Sequence, residues 1–173
     1  FEPFQTKAYL LANNIRALLS GDMETMVHVC RETFARLQGG AEPTVEDAAE
    51  IFAEEFTSFR QRRAADSILN PLGLTFGTFF DRQSAMSPGF VEETIYSIRQ
   101  CRIDGAAIIA GVDDTGSHIF VVSDPGVVPS CDSSGFAAIG IGAELALAEF
   151  MDRRYNSWSL WTTAIIISYL AKR

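Results

Sequence analysis

KAYLLANNIRALLSGDMET, residues 7–25, decides the reading of this chain. Two apolar runs flank Asn13-Asn14, the pattern of two strands joined by a tight turn, so residues 7–20 are expected to form a β-hairpin. Past Ser20-Gly21 a helix begins. Asp22 can cap it, and Glu24 falls in its first turn, where a negative charge suits the positive end of the helix dipole. Lys7 opens the hairpin and Gly21 closes it at the helix N-terminus, and this pair is where chemistry is expected.

Outward from that stretch, helical spacing predicts a first helix over about 22–38, with Met23, Met26, Val27, Cys30, Phe34 and Leu37 on its apolar face. Gly39-Gly40 stops it. Thr44 and Asp47 stand as in a capping box at the start of a second helix, whose buried face is Val45, Ala48, Ala49, Phe52, Phe56 and Phe59. The short link makes the two helices antiparallel neighbours. Before the hairpin, residues 1–6 read as an incoming extended segment.

Residues 64–104 read as an aromatic-rich connection carrying one extra helix, which starts at Ser87-Pro88 and turns Phe90, Val91, Ile95 and Ile98 inward. GAAIIAGVD (105–113) is expected to be a strand buried on both faces. Asp114-Thr115-Gly116 makes a turn, HIFVVS (118–123) returns, and Asp124-Pro125-Gly126 ends the second hairpin. A short strand is expected over Phe136–Ile141, then helices over 143–154 and 158–172. The last is apolar nearly all round, as in a helix covered on more than one side. Strand pairs alternating with helix pairs in this way predict antiparallel sheets with helices layered outside them.

The chain has 173 residues, enough for a single domain with one sizeable core. Its formal net charge of −8 speaks against nucleic acid, whose phosphates need clustered Lys and Arg. Arg60, Arg62 and Arg63 are most simply the cationic end of the second helix. The cysteines Cys30, Cys101 and Cys131 are odd in number and lack CxxC spacing, so neither a disulfide framework nor a metal site is expected and a cytoplasmic setting fits best. No cofactor motif is present: GIGAEL (140–145) lacks the third glycine and the Lys-Ser of a phosphate loop. No stretch is long and apolar enough for a membrane span.

Other candidates have plainer readings. Ser117-His118 with Asp113 or Asp114 suggests a triad, but neighbours on a strand point to opposite faces, and a hairpin turn accounts for them. His28 sits near an apolar helix face as a structural histidine, and Glu92-Glu93 is the polar side of a helix. Lys7 alone would be a surface lysine at a strand start, and Gly21 a residue that eases a turn.

Three stretches, kept in order, resemble the proteasome β-subunit family of N-terminal nucleophile (Ntn) hydrolases: KAYLLANNIRALLSGDMET, AGVDDTGSHIFVVSDPG and FAAIGIGAELALAEF. The resemblance implies an α+β fold of αββα type, two stacked antiparallel sheets between helical layers, with 64–104 as an insertion. In that family an N-terminal threonine hydroxyl attacks a peptide or amide bond, with its own α-amine as base. By position Lys7 matches the lysine that lowers the relevant pKa, and Gly21 matches the glycine whose N–H holds the oxyanion.

The sequence also departs from the family. Phe1 stands where a nucleophile would, the strands that precede and follow the matched region are missing, and Ile141 replaces a serine. The polypeptide as given is therefore expected to be processed, excised or partial, truncated at both ends and inactive. Alternatively it is a non-catalytic scaffold subunit. Either way it is expected to self-associate as a homo-oligomer through exposed apolar sheet surface and open strand edges.

Overall fold

The computed structural model describes residues 7–39 and 42–171. The extended segment expected over 1–6 and the second glycine of Gly39-Gly40 lie outside the described residues. The first hairpin forms as β1 (Ala8–Ala12) and β2 (Ile15–Gly21), turning at Asn13-Asn14. The second forms as β3 (Gly105–Asp113) and β4 (Gly116–Ser123). β2 pairs antiparallel with β3 from Ile15 opposite Gly111 to Gly21 opposite Gly105, which joins the hairpins into one sheet of order β1-β2-β3-β4. The architecture is α+β, and among the described residues this is the one sheet formed.

Strand alternation explains which face is covered. Leu11, Ala17, Leu19, Ala107, Ile109, Phe120 and Val122 point to one side and are buried. Against them lie α1 (Met23–Leu37), through Met26, Val29 and Cys30, and the antiparallel α2 (Val45–Ala64), through Ala48, Ala49, Phe52 and Phe56. Burial among these side chains pushes the Cys30 thiol up to about 12, so it packs as an inert apolar group. Asp22 caps α1, and the Thr44–Asp47 capping box on α2 is complete. Phe34 departs from expectation: it is exposed, because Thr33 takes the buried position beside it and hydrogen-bonds back to the Val29 carbonyl.

The 64–104 stretch holds more helix than expected. A π turn (65–69) and a 3-10 turn (70–72) end at Gly73, and two α-helices follow, α3 (Phe76–Asp81) and α4 (Pro88–Gln100). Thr75 and Thr78 cap each other's backbone to start α3, a reciprocal cap hidden in a stretch that reads as aromatic.

The strand expected over Phe136–Ile141 does not form. Phe136 instead stacks on Phe150 at 4.6 Å and meets Tyr155 edge-on at 5.9 Å, and Gly140 takes a positive φ of 89°. These contacts tie the segment to α5 (Ala143–Asp152) rather than to a neighbouring strand. The last helix, α6 (Trp161–Ala171), is not covered on several sides: Ile167 is buried, whereas Trp161, Ile165, Ile166 and Tyr169 are exposed. β3 is likewise only partly buried on its second face, where Ile108 is covered and Val112 is open.

Gly21 is the tightest point of the fold. Its φ is +91°, and an added Cβ would lie 2.3 Å from the Asp104 carbonyl oxygen. Gly116, at φ +136°, has nothing within 4 Å of its Cβ position. Gly21→Ala is therefore expected to cost at least about 3 kcal/mol, through strain and forced separation of β2 from β3, and Gly116→Ala only about 1–3 kcal/mol through backbone strain. Urea unfolding of both variants checks this, and equal losses would show that the clash is relieved without cost.

Candidate active-site cleft and a histidine clamp

Lys7 and Gly21 lie at the same end of the first hairpin. The Lys7 carbonyl accepts a hydrogen bond from the Leu19 amide at 2.8 Å, and Gly21 follows two residues later on β2, about 7 Å further along the strand. Alternation places Lys7 on the same face as Tyr9. It also turns the Gly21 N–H toward the β1 side, because the next amide, Asp22, bonds to the carbonyl of Asp104, just before β3, at 2.6 Å.

Asp22 then starts α1. Its carboxylate accepts from the Thr25 hydroxyl at 2.7 Å and the Glu24 amide at 3.2 Å, and the Thr25 hydroxyl is the main reason its pKa is held below 3.8. The positive end of α1 thus faces the Gly21 turn.

A cleft of about 1180 Å³ opens beside this turn. Tyr9, Met23 and Val27 give it an apolar wall, with His28 against Phe59 at 5.3 Å, and Arg31, Arg62 and Arg63 stand on its rim. Lys7 and Gly21 are next to this lining but not part of it. His28 is half-buried against an aromatic ring, and Arg62 and Arg63 close the last turn of α2, as their plain readings have it.

The β3–β4 turn holds a polar cluster in which the sequence reading weighed His118 and Asp113 but not Thr115 or Asp132. His118 Nδ1 lies 2.7 Å from Asp132 Oδ2, and its Nε2 lies 2.7 Å from the Thr115 hydroxyl. That hydroxyl donates to Asp113 Oδ1 at 2.6 Å. The other Asp113 oxygen accepts the Val45 amide at 2.9 Å, which pins the turn to the first residue of α2. Asp132 Oδ1 accepts the Ile119 amide. Ser117 plays no part in this chain of bonds, in keeping with alternation along the strand.

The partners fix the proton positions. Hydrogen bonds from the Thr115 hydroxyl and from the Val45 and Thr115 amides lower Asp113 to about 2, so it accepts only. With its single proton spent on Asp113, Thr115 can only accept from His118 Nε2. Nδ1 faces the Asp132 carboxylate, so these partners favour the charged form of His118. The Asp132 hydrogen bond is the main cause that raises its pKa above 6.5. Burial pushes Asp132 up, but the bonds from His118 and Ile119 outweigh it and leave its pKa below 3.8. Acid, imidazole and hydroxyl stand at triad distances, but a doubly protonated ring cannot act as a base. The arrangement is a clamp.

Among the described residues, no group of three or more His, Cys, Asp or Glu could hold a metal ion, and no helix is long and apolar enough to cross a membrane. The His118 contribution to stability is full below its unfolded pKa of 6.5 and is lost as pH rises through its raised folded value. The Asp132 contribution is present above 3.8 and is lost as pH falls through its lowered value. His118→Gln should therefore lower the urea midpoint clearly at about pH 5.5 and little at about pH 9. A pH-independent loss would mean that His118 is neutral in the fold. No protein-family model matches the chain, and no curated protein is significantly similar to it.

Proposed function

We propose that this chain belongs to a proteasome-like Ntn-hydrolase subunit that cleaves peptide or amide bonds. The observation that carries the reading is the shared placement of Lys7 and the Gly21 amide at one end of a hairpin, at the positive end of α1 and beside a cleft. In the proposed reaction the hydroxyl of an N-terminal threonine attacks the scissile carbonyl and gives its proton to its own amine, which passes it to the leaving nitrogen as the C–N bond breaks, and water then hydrolyses the threonyl ester. The Lys7 ammonium lowers the pKa that this transfer requires, and the Gly21 N–H takes the negative oxygen. The substrate side chain enters between Tyr9, Met23 and Val27.

Two open apolar surfaces support the complete four-layer architecture. On the sheet face away from α1 and α2, Leu10, Leu18 and Val112 are 48%, 41% and 57% exposed. On the helical pair α5 and α6, Leu145, Trp161, Ile165 and Ile166 are open to solvent. The reading calls for a second antiparallel sheet packed on the open face of the first. Apolar surface left this open drives association, so the chain as given self-associates.

Ile141 favours a second reading, a non-catalytic scaffold. It stands in place of the family's serine and is fully exposed, free to contact a neighbouring subunit.

The natural polypeptide that carries this chain is treated with a peptide epoxyketone, and its intact mass and peptidase activity are measured. The enzyme reading predicts a stoichiometric adduct and activity that falls by about 10²-fold or more in Lys7→Ala. No adduct but a discrete oligomer in sedimentation supports the scaffold. A monomer without adduct overturns both.

A further inference from the structure

The geometry points to a peptide-docking groove on the 64–104 stretch, built for an acidic partner segment with an apolar side chain flanked by carboxylates. The groove, about 470 Å³, lies between the end of α2 and the helices α3 and α4. Its apolar lining is Ala64, Phe76, Phe80 and Ile98, and Arg60 and Arg99 stand at its sides. Phe76 and Phe80 stack at 6.4 Å and 15°, and Phe79, fully buried, meets Phe80 edge-on at 5.5 Å from below. The aromatic floor is thus fixed while Phe80 itself is 57% exposed.

Charge selects the occupant. Arg99 forms no ion pair among the described residues, and Arg60 forms a long one with Asp124, at 3.9 Å and without a hydrogen bond. Two guanidinium groups beside an apolar floor offer paired donors to carboxylates on either side of an inserted apolar residue. The net charge of −8 opposes an acidic ligand at long range, so the attraction is local to these two guanidinium groups. The groove shares no lining residue with the cleft beside Gly21 and does not depend on the proposed hydrolase chemistry.

The test is fluorescence anisotropy of the full chain with a fluorescein-labelled ten-residue peptide carrying Leu and Phe between glutamates. Two further peptides serve as controls, one with lysine for glutamate and one with serine for Leu and Phe. Binding of the first peptide alone is expected, weakened at least about tenfold by Arg99→Glu and by Phe80→Ser, and weakened by salt. Circular dichroism and thermal midpoints of both variants establish that they are folded. Equal binding of the glutamate and lysine peptides, unchanged binding in the folded variants, or no binding at millimolar peptide overturns the proposal. Loss of self-association in the two variants without any peptide binding also overturns it, and makes a second copy of the chain the occupant.

Discussion

The pairing of β2 with β3 is the constraint on which the rest of the structure depends. At its lower end two glycines face each other, Gly21 and Gly105, and at Gly21 the backbone opposite comes too close for a side chain. A Cβ on Gly21 would meet the Asp104 carbonyl, and one on Gly105 would lie 2.5 Å from the Met26 sulfur. Two strands and the first turn of α1 therefore converge where the Met26 side chain fills the space. The Asp22 amide bonds across to Asp104 and its carboxylate caps the helix, so strand pairing sets where α1 begins.

The other end of β3 does the same for α2. Because α1 and α2 are antiparallel, their N-termini lie at opposite ends of the sheet, and β3 spans the distance between them. Asp113, its last residue, holds the Val45 amide directly. The His118–Asp132 pair steadies the turn from the far side and brings in the segment after β4. One strand thus anchors both helix starts, by backbone contact at one end and by a carboxylate at the other. The apolar layer formed by Phe52, Phe56, Ala17 and Ile109 fills what lies between.

Local signals in the sequence were good guides where a few residues determine the outcome. Asn13-Asn14 marked a turn, Asp22 a cap, and Thr44 with Asp47 a capping box, and each acts over one helical turn or less. The signals failed where the outcome depends on what lies opposite. Phe136–Ile141 has strand composition, but Phe136 finds its partner in Phe150, fourteen residues on. The helix α6 has the composition of a covered helix, yet composition names no covering element. The placement of Lys7 and Gly21 was legible because a hairpin of known turn fixes which residues share an end. The clamp was not, because Asp132 reaches back to His118 from the irregular segment after β4 and shares no spacing rule with it.

The clamp also shows why the two polar places in this molecule differ in kind. A triad needs a ring nitrogen that is free to take a proton, and a hydroxyl whose proton points at that nitrogen. At Thr115 a second carboxylate, Asp113, captures the hydroxyl proton, and its other oxygen is committed to the helix. The hydrogen-bond direction along the whole string is then reversed, and a base becomes a cation. At Gly21 the polar group is a backbone amide turned to the β1 side of the sheet, beside the positive end of a helix and a cleft with an apolar wall. On the β3 side the pairing is completed by the Asp22 amide rather than by that of Gly21. Distances of 2.7 Å suit a triad at the histidine, but the direction of the bonds there makes a structural clamp.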